Sequence, residues 1–142
     1  MPSVLFVCTG NLYRSPLAAA FFRERLKAAS QTDWIVDSAG TWTQPGQSAP
    51  PAVVRAAAKF DADLEGHRSQ LINANLLSQF DLVLVMEKGH KEALDFEFPF
   101  ASHKIRLFSQ VTEGLAYDIP DPLTSMQEID LLAADLHKLV KR

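Results

Sequence analysis

The sequence has a single cysteine, Cys8, among its 142 residues. One cysteine cannot form an internal disulfide, so nothing in the composition indicates an oxidising compartment. No apolar run approaches the roughly 18 residues of a membrane-spanning helix. The opening MPSVLFVC has neither the basic start nor the apolar length of a signal peptide. We therefore expect a cytoplasmic protein that does not insert into a membrane.

Two further absences narrow the function and the domain organisation. The formal net charge is −3 and no basic cluster is present, which argues against nucleic-acid binding. No linker rich in proline, glycine or serine divides the chain, and it contains no repeat or low-complexity tract. Its length suits one α/β domain, so we expect residues 1–142 to form a single domain.

Alternation of strand and helix patterns predicts the fold class. Short apolar runs predict buried parallel strands, at residues 4–8, 34–40, 81–86 and 104–108. Helical patterns lie between and after them, following Ser15-Pro16, at residues 51–60 and 87–94, and after a capping box of Ser125 and Glu128. Serine is a favourable N-cap and proline suits a first turn, so Ser15 is the predicted cap of the first helix. The pattern predicts a doubly wound parallel sheet, whose ligands bind at the carboxyl ends of the strands.

The connection after the first predicted strand, residues 8–15, reads CTGNLYRS (the anion loop). Backbone N–H groups of such a short strand-to-helix connection can surround an anion, and the helix adds its positive N-terminal end. Glycine and asparagine tolerate the left-handed angles of a tight wrap. The planar fork of Arg14 can grip two oxygens of a tetrahedral anion, and the same field would stabilise a thiolate at Cys8. The predicted phosphate-binding residues are Thr9, Gly10, Asn11, Leu12, Tyr13, Arg14 and Ser15, with Ser15 also a hydrogen-bond donor to the sulfur.

A second feature is the segment DIPDP, in which Asp121 lies between two prolines. Proline fixes its own backbone and restricts the residue before it, so the Asp121 carboxylate would be rigidly held. Beside a phosphate site such a carboxylate is a candidate general acid for an aryl leaving group, with Asp118 as the alternative. Each feature also has an ordinary interpretation, because Asp-Pro is a common turn and a lone strand-end cysteine is more often a small core residue.

These motifs together resemble the low molecular weight protein tyrosine phosphatases of bacterial type. The segments VLFVCTGNLYRSPLA, DSAGT, LEGHRS, DLVLVME and DIPDP follow the family's order and spacing. The resemblance implies a Rossmann-like, three-layer fold with a four-stranded parallel sheet and helices on both faces, forming one phosphatase domain without metal or cofactor. It implies hydrolysis of phosphotyrosine and small aryl phosphates through a cysteinyl-phosphate on Cys8. Arg14 would bind the phosphate, and Asp121 would act first as acid and then as base.

The resemblance also implies a partner and supporting residues. The substrate would be a phosphotyrosine-containing protein, with a bacterial tyrosine kinase as one candidate, and the enzyme a monomer or weak dimer. A polar network that holds the anion loop would comprise Asn11, Ser15, Ser38 and His67. From its residue type alone, His67 would be an ordinary, hydrogen-bonded histidine. The remaining histidines have no metal-like spacing and receive no role: His90, His103 and His137.

Two positions of the predicted site depart from the family pattern. Tyr13 stands where many members carry a second cysteine, and Leu123 stands where an aromatic residue usually forms one wall of the substrate cleft. Trp42 lies in the loop after the second predicted strand, at the same edge of the sheet as the anion loop. We therefore expect Trp42, together with Leu123 and Tyr13, to form the walls of the cleft. The ordinary interpretation of Trp42 is a partly buried anchor of its loop.

Other functions remain open at this point. A phosphocysteine carrier needs Cys8 and the anion loop but no acid, so Asp121 argues against it. A non-catalytic module that binds phosphate or phosphopeptides is a further alternative. An arsenate reductase of related fold needs further cysteines to relay a disulfide, and Cys8 stands alone. Protein-arginine phosphatases share the scaffold but tend to carry a threonine at the position of Leu12, so this apolar residue favours tyrosine substrates.

Overall fold

The computed structural model describes residues 2–30, 33–113 and 118–119. Four parallel strands form one sheet in the order β2-β1-β3-β4: β1 (Ser3–Cys8), β2 (Ile35–Gly40), β3 (Leu82–Val85) and β4 (Ile105–Leu107). The described helices are α1 (Arg14–Ala28), α2 (Pro51–Ala58), α3 (Ala74–Ser78), α4 (Lys88–Glu97) and α5 (Phe108–Glu113), with a 3₁₀ turn at Pro99–Lys104. The predicted four-stranded parallel sheet is confirmed, and each predicted strand lies within one residue of its observed bounds.

β1 is central in the sheet and is buried along its whole length. Side chains alternate between the two faces of a strand, so each face needs its own apolar partners. Val4, Phe6 and Cys8 belong to one core, whereas Leu5 and Val7 belong to the other. A continuous apolar run is what such two-sided burial requires, and this is why the sequence predicted the strand well.

Helices pack on both faces of the sheet. Leu17 and Phe21 of α1 join Val53 of α2 in the core that contains Phe6. On the other face, Leu77 of α3 and Leu94 of α4 are buried with the second core. Each fully buried side chain of this size contributes about 1.5–3 kcal/mol, so the sheet and the start of α1 form a firm base for the loops at its edge.

The first helix begins earlier than predicted. Arg14 is its first residue and Tyr13 its N-cap, so the prediction that Ser15 caps α1 is wrong. The physical reason is that the Ser15 hydroxyl is already used, because it lies 2.9 Å from both Cys8 Sγ and Asn11 Nδ2. Pro16 still falls in the first turn, where its missing N–H has no helical partner to lose.

The other helices differ from the predictions in extent. The predicted helix at residues 51–60 ends at Ala58, and the one at residues 87–94 starts at Lys88 and continues to Glu97. Three short elements have too few residues to show a helical period: α3, α5 and the 3₁₀ turn. The helix predicted after Ser125 and Glu128 lies outside the described residues. Within the described ranges, no helix has the length and apolar character needed to cross a bilayer.

The strand order creates a crevice at one edge of the sheet. The chain runs from β1 to β2 on one side, whereas β3 lies on the other side of β1. Loops that leave the carboxyl ends of β1 and β3 therefore diverge, and ligands of open α/β sheets bind at such a point. The anion loop leaves β1 here, and Glu87 follows β3 by two residues at the same edge.

Candidate active site

The anion loop turns sharply at Asn11. This residue is buried and adopts the left-handed conformation, with φ 58°. Of the two residues predicted to take such angles, Asn11 does so and Gly10 does not. The loop is anchored to the segment after β2, where Thr41 N donates to the Cys8 carbonyl (2.9 Å) and Trp42 N to the Thr9 carbonyl (3.0 Å). Asn11 therefore stores the strain of the turn, which its buried side chain must offset.

The Asn11 amide is the centre of a buried polar network. Its Oδ1 accepts a hydrogen bond from Gln70 N (2.9 Å), and a backbone N–H can only donate. This fixes the amide orientation, so Nδ2 donates to Ser15 Oγ and Ser38 Oγ, each at 2.9 Å. The Asn11 carbonyl accepts from His67 Nε2 at 2.7 Å, which therefore carries a proton. The structure thus brings together all four residues proposed to hold the loop.

The surroundings of His67 favour its neutral form over its charged form. Burial lowers the pKa of His67 from its ordinary 6.5, and its hydrogen bond to the Asn11 carbonyl opposes that shift. The protonated Nε2 donates to the loop whether or not the ring is charged. His67 therefore serves the loop as a hydrogen-bond donor and needs no charge to do so.

The Cys8 sulfur lies beneath the loop and is surrounded by donors. Cys8 is only 2% exposed; its Sγ accepts a hydrogen bond from Asn11 N (3.3 Å) and lies 2.9 Å from Ser15 Oγ. A thiolate can only accept, so in that form of Cys8 the Ser15 hydroxyl is the donor. The Asn11 amide donates in turn to Ser15, which gives a chain of donors directed at the sulfur. This arrangement stabilises negative charge on Cys8.

Arg14 is 1% exposed and lies at the crevice between β1 and β3. Its Nη1 contacts the Glu87 carboxylate and donates to the Ile119 carbonyl at 2.8 Å. Its Nη2 donates to Thr9 Oγ1 across 3.4 Å, inside the anion loop. A guanidinium held from several sides at the entrance of α1 can meet a tetrahedral anion without first reorganising.

Two side chains after β3, Glu87 and His90, contact residues of the anion loop, although the sequence motifs predicted no role for them. Glu87 forms the ion pair with Arg14, and His90 Nε2 lies 2.9 Å from Thr9 Oγ1. The sequence position of Glu87 could have predicted its place in the site. It is a charged residue just after a buried strand, and it lies at the same edge of the sheet as Cys8 at the end of β1. His90 is close to the loop only because β3 neighbours β1. Gln70 was also missed, although its N–H donates to Asn11 Oδ1 and its side-chain Nε2 donates to the Ser38 carbonyl at 2.8 Å.

The two candidate acids are placed differently. Asp118 Oδ1 accepts from Lys88 N at 2.8 Å, so its carboxylate serves the first turn of α4. The next residue, Ile119, donates from its N–H to the Met86 carbonyl at 2.8 Å and accepts from Arg14. Asp121 lies outside the described residues. The segment that leads to it is thus fixed beside the Arg14 guanidinium.

The predicted cleft residues also differ in their surroundings. The Trp42 side chain is 84% exposed, so it does not anchor its loop in the core. Its backbone pairs with the Thr9 carbonyl, which places it next to the anion loop. Tyr13 is half-buried and packs against the core beneath α1. Leu123 lies outside the described residues.

A family model supplies the decisive comparison. The model described as low molecular weight phosphotyrosine protein phosphatase matches residues 3–142. The chain belongs to this family. The resemblance inferred from the motifs is therefore confirmed.

Individual members of the family are similar over most of the chain. Wzb of Escherichia coli K12, a low molecular weight protein-tyrosine-phosphatase, is 36% identical over 126 residues, which are 89% of this chain and 81% of that protein. The structure of Vibrio vulnificus Wzb in complex with benzylphosphonate superposes with a TM-score of 0.86 at 32% identity, covering 99% of this chain and 94% of that one. YwlE arginine phosphatase from Geobacillus stearothermophilus gives a TM-score of 0.88 at 28% identity. The superposition covers 99% of this chain and 89% of that one.

Proposed function

We propose that this protein is a tyrosine phosphatase that hydrolyses phosphotyrosine and small aryl phosphates through Cys8. The observation that carries the proposal is the donor chain from Asn11 through Ser15 to the Cys8 sulfur, inside a loop that also contains the buried Arg14. An inert core cysteine needs no such donors. Membership of the phosphatase family supports the same reaction.

The proposed reaction has two displacements at phosphorus. The Cys8 thiolate attacks the phosphorus while Arg14 and the backbone N–H groups of the anion loop bind the phosphoryl oxygens. The bond to the tyrosine oxygen breaks, and Asp121 donates a proton to that oxygen as it leaves. Water, deprotonated by Asp121, then attacks the cysteinyl-phosphate, which releases inorganic phosphate and restores the thiolate.

The substrate is proposed to be a phosphotyrosine-containing protein, with a bacterial tyrosine kinase as a candidate. A relative, Vibrio vulnificus Wzb, takes benzylphosphonate, a ligand that joins an aromatic ring to a tetrahedral anion. In this chain we propose that the exposed Trp42 provides an aromatic wall beside the anion loop, assisted by Tyr13 and Leu123. Aromatic pairs of this kind contribute about 0.5–1.5 kcal/mol beyond area burial.

Release of phosphate from p-nitrophenyl phosphate, with a chelator present to exclude metal catalysis, tests the proposal. Cys8→Ser should abolish turnover but still bind tungstate, because the loop N–H groups and Arg14 remain. More than a trace of turnover in Cys8→Ser would remove Cys8 from the nucleophile role. A phosphocysteine carrier would instead accumulate phosphorylated Cys8, detected by mass spectrometry, with no continuous release of phosphate.

A second candidate activity is dephosphorylation of arginine, because the YwlE arginine phosphatase has the same fold. Leu12 is the discriminating position, since an apolar side chain there favours the tyrosine substrate. We expect a phosphotyrosine peptide to be hydrolysed with a higher kcat/KM than the matched phosphoarginine peptide. Leu12→Thr should lower that ratio. A wild-type preference for phosphoarginine would overturn the tyrosine assignment while leaving the role of Cys8 intact.

A further inference from the structure

The Nη1 end of Arg14 is fully engaged by protein acceptors. This nitrogen carries two protons, and it has two acceptors, the Glu87 carboxylate and the Ile119 carbonyl at 2.8 Å. An anion in the loop must therefore meet other donors of the guanidinium. Since Arg14 is almost completely buried, the acceptors at Nη1 determine which way the rest of the fork faces.

His90 connects the same turn to the other end of the fork. Its Nδ1 accepts from Glu87 N at 3.2 Å, and a backbone N–H only donates, so Nδ1 carries no proton. The neutral ring then has its proton on Nε2, which donates to Thr9 Oγ1 at 2.9 Å. The same Thr9 oxygen accepts from Arg14 Nη2. A hydroxyl oxygen that accepts two hydrogen bonds directs its own proton elsewhere, and the interior of the anion loop is adjacent.

We propose that Glu87 and His90 are positioning residues for phosphate binding. Glu87 fixes Arg14 at Nη1, and His90 fixes the Thr9 hydroxyl that meets Nη2. Together they would hold the guanidinium in the orientation that an oxyanion requires, before the oxyanion arrives. The kinetic part of this inference rests on the proposed phosphatase activity, whereas the part that concerns anion binding does not.

Glu87 could affect anion binding in two ways, by its negative charge or by holding Arg14 in place. These two roles predict opposite changes in anion affinity when Glu87 is neutralised. A carboxylate beside an anion site repels the anion, so neutralising Glu87 should tighten anion binding if only its charge mattered. If Glu87 instead holds Arg14, the same change should weaken binding, because the guanidinium loses its charge-assisted partner and its fixed orientation. The sign of the effect therefore separates the two roles.

The experiment measures tungstate binding to the full chain by calorimetry, together with inhibition of p-nitrophenyl phosphate hydrolysis by inorganic phosphate. Glu87→Gln should raise both the Kd of tungstate and the Ki of phosphate by about tenfold or more, the effect of one charge-assisted hydrogen bond. Glu87→Asp keeps the charge but shortens the side chain, and it should also weaken binding. Unchanged or tighter binding by Glu87→Gln would overturn the proposal.

The matched control is Glu24→Gln, which makes the same charge change at an exposed ion pair with Lys27 on α1. It should leave both constants unchanged. Thermal unfolding of each variant shows whether the fold survives; if Glu87→Gln does not fold, Glu87→Asp carries the test. An equal weakening of binding by Glu24→Gln would show that the effect is not specific to Glu87 and would contradict positioning.

A mutant cycle tests whether His90 acts through Thr9. His90→Asn and Thr9→Val should each weaken tungstate binding. The double variant should bind tungstate only slightly less tightly than the single variant with the lower affinity. Fold-losses in affinity that multiply in the double variant would show that His90 does not act through the Thr9 hydroxyl.

A wild-type chain that binds tungstate without turnover refutes the proposed function alone. Normal turnover combined with unchanged binding in Glu87→Gln refutes this inference alone.

Discussion

Replacing Asn11 with alanine tests whether the buried amide network holds the anion loop. The substitution removes three side-chain hydrogen bonds, to Ser15, Ser38 and Gln70 N. Each contributes about 0.5–1.5 kcal/mol net, so their loss should cost roughly 1.5–4.5 kcal/mol. Alanine must also adopt the left-handed angles of residue 11, at an added cost of about 1–2 kcal/mol. The expected total is therefore roughly 2.5–6.5 kcal/mol, a large share of the 5–15 kcal/mol typical of a domain.

Asn11→Gly separates the two contributions. Glycine loses the same hydrogen bonds but adopts positive φ freely, so this variant should be about 1–2 kcal/mol more stable than Asn11→Ala. The matched control is Asn73→Ala, which truncates an exposed asparagine that caps α3 by accepting from Leu76 N. Loss of one cap should cost about 1 kcal/mol and leave catalysis unchanged.

Urea denaturation followed by far-ultraviolet circular dichroism gives the free energies of unfolding by linear extrapolation. A destabilisation by Asn11→Ala no larger than that of Asn73→Ala would show that the amide network does not stabilise the fold. Equal values for Asn11→Ala and Asn11→Gly would show that the left-handed angle carries no cost. Either result would refute the reasoning given for the loop.

Three further outcomes are expected. Asp121→Asn should lower kcat by about 10²–10⁴ for poor leaving groups, whereas Asp118→Asn, which keeps an oxygen to cap α4, should cause a much smaller loss; the reverse order in that assay would identify Asp118 as the acid. Because burial lowers the pKa of His67 from 6.5, against its hydrogen bond to the Asn11 carbonyl, the unfolded chain takes up this proton first. The free energy of unfolding should then fall as the pH drops through 6.5, and His67→Gln should remove that part of the slope; an identical pH profile of urea midpoints in the variant would contradict it. Trp42→Ala should raise KM for aryl phosphates by up to about tenfold without changing stability, with little effect on inhibition by inorganic phosphate; if both constants rise together, Trp42 is not a cleft wall.

The parts of the molecule that the sequence predicted well are local in the chain. The buried strands follow from continuous apolar runs, and the short connection between β1 and α1 follows from where the first of these runs ends. Ser15 shows the limit of local rules, because a serine before proline suits an N-cap by type. Its hydroxyl instead serves Cys8 and Asn11, so tertiary contacts decide where the helix starts.

The site residues that the sequence did not predict lie in segments far along the chain from the anion loop. Glu87, His90 and the Ile119 carbonyl reach the site only because β3 lies beside β1. A sequence can show which segments are strands, but it does not show which strands are neighbours in the sheet. Gln70 reaches the network through its N–H, which donates to Asn11 Oδ1, and through its side-chain amide, which donates to the Ser38 carbonyl. Both contacts join segments that are distant in the chain. The helix α3 has only five residues, too few to be stable by itself. It is stabilised by Leu77, which is buried in the core.

The long reach of Arg14 has a consequence for how the protein is made. Its acceptors Glu87 and Ile119 lie 73 and 105 positions further along the chain. At about 5–20 residues per second, a ribosome adds those 105 residues in roughly 5–20 s. For that interval Cys8 and Arg14 have been synthesised but lack the groups that close the crevice around them.

The anion loop is therefore among the first parts of the chain to be translated, whereas the contacts of Arg14 with Glu87 and Ile119 form much later. Binding of inorganic phosphate, which requires the assembled loop, would favour the finished fold over its precursors by mass action. A nascent chain halted before residue 119 would carry Cys8 and Arg14 without the carbonyl that accepts from the Arg14 guanidinium. The contacts of Arg14 are thus completed only after residue 119 has been added.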